Sequence, residues 1–256
     1  MLVMSKAARL TLLCSPLLGL VLACGGGGSP EMSSEPAKLT SPVPSATTIY
    51  SPIIEERPWD KVPNIMVLAT TGDDMRLPLV NEAVVFWNKQ LDQAGVTFRL
   101  GTVTVLERTV PVQLLSPFAL SGSEGTALSD GDKQAFIRSL AGRLEADILI
   151  VLSDGRFVSF SQPFQRLFGH QVLIGISDGR SPPLSLQNVA RNVIAHELGH
   201  AIGLGHSNDP TKLMCGRPAE CRATGFQSMT ERLFPIAEEE KGLLRKLYPA
   251  EWHPVR

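Results

Sequence analysis

Several residue types are scarce in this chain of 256 residues, and each scarcity removes a class of explanation. There are two tyrosines, four cysteines and five histidines, and aromatics make up 6% of the chain. So few cysteines exclude a disulfide-built miniature fold. The formal net charge is only −1, and no basic stripe interleaved with aromatics is present, so nucleic acid is not an expected partner. No apolar run is long enough for a comfortable membrane span; the longest, Leu10 to Leu22, follows Lys6 and Arg9 and reads as an export signal. What remains is 43% hydrophobic residues, and the stretch 59–256 is long enough for one sizeable core.

Against that scarcity, three of the five histidines fall within eleven residues, in His196-Glu197-Leu198-Gly199-His200-Ala201-Ile202-Gly203-Leu204-Gly205-His206. Four residues apart on a helix, His196 and His200 project from one face, one turn above the other, so two imidazoles can share an ion. Glu197 then flanks that ion, where a carboxylate can take a proton from water. Gly203 can adopt the left-handed backbone that ends a helix and turns the chain back, bringing His206 up as a third ligand. Three neutral histidines leave one tetrahedral position open, the arrangement of a catalytic zinc rather than a closed structural one.

At these residues the sequence resembles the metzincin metalloproteases. The following run, His206-Ser207-Asn208-Asp209-Pro210-Thr211-Lys212-Leu213-Met214, resembles the matrixin branch, the matrix metalloproteases. That resemblance implies a zinc-dependent endopeptidase with one catalytic ion and a protein or peptide substrate. It makes His196, His200 and His206 the metal ligands, Glu197 the general base and Met214 the methionine of the turn beneath the metal. A metzincin scaffold acting mainly as a peptide-binding lipoprotein is the alternative, and an intact Glu197 weighs against it.

The implied fold is α+β: a twisted mixed sheet packed on two long helices, with the zinc cleft below the edge strand and a C-terminal subdomain carrying the Met-turn and a final helix. Pro63 to Thr70 reads as the first strand, Leu79 to Ala94 as the first helix, Val96 to Leu106 as the second strand, and Glu145 to Ser153 as another. Pro235 to Tyr248, acidic at its start and basic at its end, reads as the last helix. LIVLSDGR (149–156) and LIGISDGR (173–180) read as two apolar strands each ending in an Asp-Gly turn.

Some family features are missing from the pattern. Cys215 follows Met214 where some metzincins soon place a zinc-binding tyrosine, and only Tyr50 and Tyr248 exist. Outside the motif only His170 and His253 remain for the histidine-bound structural zinc common in matrixins, and no Pro-Arg-Cys-Gly segment precedes the domain. Calcium is common in the family, and Asp130-Gly131-Asp132 clusters oxygen ligands without the full loop pattern, so a turn and helix cap is the expectation there.

Three segments are expected. Residues 1–23 are a lipoprotein signal peptide ending in a lipobox, Val21-Leu22-Ala23-Cys24, with Cys24 lipidated. Residues 24–58, rich in Gly, Ser, Pro and Thr, are a disordered tether, and 59–256 are the catalytic domain. The expected setting is a bacterial membrane surface, with the lipid on Cys24 as the membrane contact and secretion as the alternative. The folded domain is expected to be monomeric, with Cys215 and Cys221 joined in a small disulfide.

Overall fold

The computed structural model describes residues 58–120, 129, 131, 135, 140, 146–166, 169–216 and 231–254. The chain divides into Met1–Ser45 and Ala46–Arg256. The expected signal, the expected lipidation at Cys24 and the expected tether all fall outside the described residues, apart from Pro58.

Five strands form one mixed sheet in the order β2-β1-β3-β5-β4: β1 (Ile65–Ala69), β2 (Val103–Glu107), β3 (Ile148–Leu152), β4 (Phe160–Arg166) and β5 (Gly169–Ile176). The first three and β5 run parallel, and β4 is antiparallel to β5. Continuous apolar runs such as Ile148-Leu-Ile-Val-Leu152, buried at every residue, suit a parallel strand covered on both faces.

The register shows how the faces divide. Ile65, Ile148 and Val172 stand side by side, as do Val67, Ile150 and Ile174, and all six belong to the larger core, shared with two long helices. Leu68, Leu149, Val151 and Leu173 point to the opposite face, where they pack with Val110, Leu115 and Phe118. Leu115 and Phe118 come from α2 (Val112–Leu120).

The two long helices are α1 (Leu77–Gln93) and α3 (Gln187–Ala201). Helix α1 buries the stripe Leu79, Val80, Ala83, Val84, Trp87 and Leu91, the three-and-four spacing of an amphipathic helix. It ends at Ala94, and the chain reverses through Gly95 at φ +76°, a left-handed conformation that glycine adopts without strain. The last helix, α4 (Glu238–Leu247), has three glutamates in its first turn and Arg245 and Lys246 in its last, matching both ends of the helix dipole.

One strand differs from its expected span. Within Val96 to Leu106 only the end, from Val103, joins the sheet. Val96, Phe98 and Leu100 do alternate inward, but the backbone at Leu100 is satisfied by a helix instead of a neighbouring strand. Its N–H donates to Asn88 Oδ1 at 2.8 Å and its carbonyl accepts from Asn88 Nδ2 at 3.1 Å. Strand β4 was not legible as a strand, because Pro163 interrupts it. Proline is tolerated there since β4 lies at the sheet edge.

Candidate metal centre

The floor of the site is α3, buried along almost its whole length. Its main-chain carbonyls near the C-terminal end are held from outside the helix by three aromatic donors. Trp87 Nε1–H donates to Ala195 O and Trp59 Nε1–H to Ala201 O, each at 2.8 Å, and Tyr248 O–H donates to Ile202 O at 3.1 Å. Beyond Ile202 the chain turns through Gly203 at φ +99°, with Gly203 N and Leu204 N closing on His200 O and Gly199 O. A side chain at 203 would be strained by that φ, and its Cβ would lie 2.8 Å from Leu247 Cδ1. The turn returns His206 toward the helix.

The three imidazoles converge through their Nε2 atoms. His200 Nε2 lies 3.1 Å from His196 Nε2 and 3.0 Å from His206 Nε2. His196 and His200 are buried and His206 is half-buried. The other ring nitrogens identify the protons: His196 Nδ1 is 2.8 Å from Leu213 O, and His200 Nδ1 is 2.7 Å from Leu204 O. A carbonyl can only accept, so both Nδ1 atoms must donate, and in neutral rings the corresponding Nε2 atoms carry lone pairs. Two lone pairs facing each other at 3.1 Å in a buried setting repel, unless a cation lies between them.

The donor set fits zinc. Four ligands arranged tetrahedrally at a metal–nitrogen length of about 2.05 Å stand about 3.3 Å apart, close to the two spacings given above. Carbonyl partners on Nδ1 are the usual device that fixes the tautomer and orientation of a metal-binding histidine. Among the described residues this is the only such cluster of His, Cys, Asp or Glu. Glu197, 2% exposed, is next to His196 on the same helix.

The segment after His206 supports the cluster from below. Ser207 N–H donates to Met214 O at 2.8 Å, and Gly216 N–H donates to Ser207 O at 3.2 Å. Met214 is fully buried. A Cβ built on Gly199 would lie 2.5 Å from Met214 Sδ and 2.7 Å from Trp87 Cζ2, so the thioether and indole meet the bare helix backbone between the two helical histidines. Gly216 performs the matching service for the third: a Cβ there would run into Cδ2, Cγ and Nε2 of His206.

A second set of polar residues on α3 holds the segment entering α4. Asn192, fully buried, donates through Nδ2 to Arg232 O at 2.9 Å and accepts from Phe234 N–H through Oδ1 at 2.8 Å. Asn188 Oδ1 accepts from Arg232 N–H at 3.0 Å. Arg191 pairs with Glu82 of α1 at 2.8 Å and reaches Glu231 at 3.7 Å. Nearby, Glu240 is fully buried, and burial pushes its carboxyl up to about 7. Asp209 is held below the usual carboxylate range by the hydroxyl of Thr211, 2.7 Å away.

The structure therefore brings His196, His200, His206, Glu197 and Met214 into one neighbourhood. Cys215 is buried there, bridged through the backbone to Ser207. Cys221, Asp130 and Asp132 lie outside the described residues, as does the loop up to 230. Tyr248 is bonded to Ile202 O, and His170 packs edge-on to Trp59 at 4.6 Å. Gly216, Asn192, Trp59 and Trp87 carry no signal in the sequence, because their roles depend on neighbours distant along the chain.

The twin Asp-Gly turns also have a physical account. They leave the adjacent parallel strands β3 and β5 side by side, and the buried guanidinium of Arg76 donates to Ser153 O at 2.9 Å and Ser177 O at 2.7 Å. Asp74 holds that guanidinium in a two-point pair at 2.9 and 2.6 Å. An arginine occupies the position between the two turns.

Residues 121–228 match the family model described as Matrixin. Among solved structures, the chain is similar to archaemetzincin from Methanopyrus kandleri, with 19% identity, a TM-score of 0.39, and coverage of 73% of this chain and 96% of that one.

Proposed function

Starting from a zinc metallopeptidase that is matrixin-like over residues 121–228, we propose that the chain is an endopeptidase in which His196, His200 and His206 hold one zinc ion and Glu197 is the general base. The observation that carries this reading is the convergence of three Nε2 atoms at 3.0 to 3.1 Å while two of the Nδ1 atoms are committed to carbonyls. A bound zinc would supply Lewis acidity, lowering the pKa of water and polarising the scissile carbonyl.

The chain's own residues do the rest. Glu197 accepts the proton of the attacking water and returns it to the leaving amine. Leu213 O and Leu204 O keep the two helical ligands in the tautomer that presents Nε2. Met214, set against Gly199, gives the ligand helix a fixed apolar floor, the Met-turn role. We further propose a disulfide between Cys215 and Cys221, the two cysteines of the stretch 59–256; closing so short a loop would stiffen the segment that leaves Met214.

The test is cleavage of a diverse peptide library by the zinc-loaded protein, the chelated protein and the Glu197→Gln variant. Internal cleavage that needs both zinc and Glu197 supports the endopeptidase. A variant that binds one zinc and retains full cleavage would remove Glu197 from its role, and absence of cleavage by the zinc-loaded protein would favour a peptide-binding scaffold.

We also propose that Cys24 is lipidated after export, placing the enzyme at a bacterial membrane surface. The lipobox and the polar tether behind it support that reading. Metabolic labelling with a fatty acid analogue should mark the wild-type chain and leave Cys24→Ala unmarked; equal labelling of both would reject it.

A further inference from the structure

Four residues of α3 follow one another at steps of four: Asn188, Asn192, His196 and His200. Neighbours in such a row stand about 6 Å apart along the helix axis and nearly one above the other. One inclined ridge of the helix therefore carries two amides and then two of the imidazoles, and all four side chains are buried. The chemistry at the metal uses the imidazoles and leaves the amides. A buried amide whose hydrogens and oxygen are all engaged is nonetheless a rigid fixture.

The direction of Asn192 is fixed by its own helix. One Nδ2 hydrogen goes to Asn188 O at 2.8 Å, which sets the amide plane relative to α3. The other hydrogen and the oxygen are left to grip an outside segment, Arg232 O at 2.9 Å and Phe234 N–H at 2.8 Å. The next residue, Pro235, has no N–H of its own, and its carbonyl accepts from Leu213 N–H at 2.9 Å. Leu213 O in turn accepts from His196 Nδ1–H at 2.8 Å. The hydrogen bonds thus leave α3 at Asn192, cross two segments distant along the chain, and re-enter the helix at His196, one turn further on.

A circuit that begins and ends on one rigid helix constrains what lies between. Leu213 is held on both sides, its N–H by Pro235 and its carbonyl by the imidazole. The adjoining Met214 O accepts from Ser207 N–H at 2.8 Å, next to His206, so the same pair of residues bears on a second ligand. Releasing Phe234 from Asn192 would take the backing from Leu213 O, the acceptor that sets the tautomer and direction of the His196 ring.

We propose that Asn192 is a positioning residue for the metal centre: acting through Phe234, Pro235 and Leu213, it holds His196 with Nε2 aimed at the ion. The inference rests on the reading of His196 as a zinc ligand and is independent of which bond the protein cleaves.

The test compares Asn192→Ala with a matched control in the full chain. Asn88 also grips an extended backbone from a helix, at Leu100 N–H and O, in a segment that carries none of the three histidines. By competition with a chromogenic chelator, Asn192→Ala should bind zinc about 10- to 100-fold more weakly than wild type, while Asn88→Ala stays within about threefold. The visible bands of the cobalt-loaded protein should shift in Asn192→Ala and not in Asn88→Ala. Equal losses in the two variants, or wild-type affinity in Asn192→Ala, would overturn the proposal.

A second measurement needs no variant to fold. In amide hydrogen exchange of the wild-type chain, zinc should slow exchange at Phe234 and Leu213 N–H at least about tenfold more than at Leu100 N–H, since the ion braces the circuit and not the Asn88 site. Equal slowing at all three groups would reject the circuit. Protection concentrated at Phe234 and Leu213 in a protein that cleaves no peptide would support Asn192 in this role while rejecting the endopeptidase.

Discussion

His206 reaches the other two histidines on a short irregular segment, so its ring depends on what it lies against. That neighbour is the backbone of Gly216, where a Cβ would collide with the imidazole. Gly216→Ala should therefore displace a ligand without disturbing the core: zinc affinity should fall about 10- to 100-fold, the range seen when outer-shell support is lost, with the circular dichroism spectrum retained. Competition with a chromogenic chelator measures this, and unchanged affinity would show that His206 is held by other contacts. Glu240 makes a different prediction at the same scale. Its folded-state carboxyl is raised from 4.5 to about 7 by burial. Between those values the folded chain keeps a proton that the unfolded chain has released, so stability falls as pH rises from about 4.5 to 7, by up to about 3 kcal/mol. Glu240→Gln removes the titrating group and keeps an acceptor for Ala237 N–H, which Glu240 Oε2 receives at 2.5 Å. The variant should be more stable than wild type at pH 8, and the advantage should shrink toward pH 5 in urea melts; a constant difference across that range would exclude the linkage.

Among the elements, α3 does more than present ligands. Through Asn188 and Asn192 it substitutes for a neighbouring strand, satisfying the backbone of Arg232 and Phe234. Asn192→Leu would bury the Arg232 carbonyl and the Phe234 N–H with a partner removed from each, at about 1–3 kcal/mol apiece. We expect a loss of about 2–5 kcal/mol in chemical denaturation; a loss below about 0.5 kcal/mol would mean that water replaces the amide. This device explains how unevenly the molecule can be read from its sequence. The ligand helix, β1, β3, α1 and the last helix were legible, because each carries its own periodicity or its own spacing of ligand-forming residues. The Gly203 turn was legible too, since only a left-handed backbone could end the helix and bring His206 back. The span Val96 to Leu100 was misread, as alternation reports which side chains are buried and not whether the backbone partner is a strand or Asn88. Strand β4 was hidden by Pro163.

At the scale of the whole domain, the metal and the fold should be one thermodynamic system. The end of α3 is where distant parts of the chain meet: Trp59 donates to Ala201 O, Trp252 Nε1–H donates to Trp59 O at 2.7 Å, and Tyr248, stacked on Phe98 at 4.0 Å, donates to Ile202 O. Unfolding therefore separates the three nitrogens, and an ion that binds only their folded arrangement stabilises by RT ln(1 + [L]/Kd). With free zinc a thousandfold above its Kd this is about 4 kcal/mol. For a domain of roughly 150–250 residues, at about 2–4 °C per kcal/mol, the melting temperature should rise about 8–16 °C over the chelated protein. Calcium at the same concentration should have little effect on this transition, since a site of three imidazoles offers it none of the oxygen ligands it requires. His206→Ala should retain less than half of the zinc shift while leaving the chelated melting temperature within about 2 °C, because a half-buried ring at the end of a turn contributes little to the core. An equal zinc shift in wild type and His206→Ala, followed by calorimetry, would place the ion elsewhere and take the proposed mechanism with it.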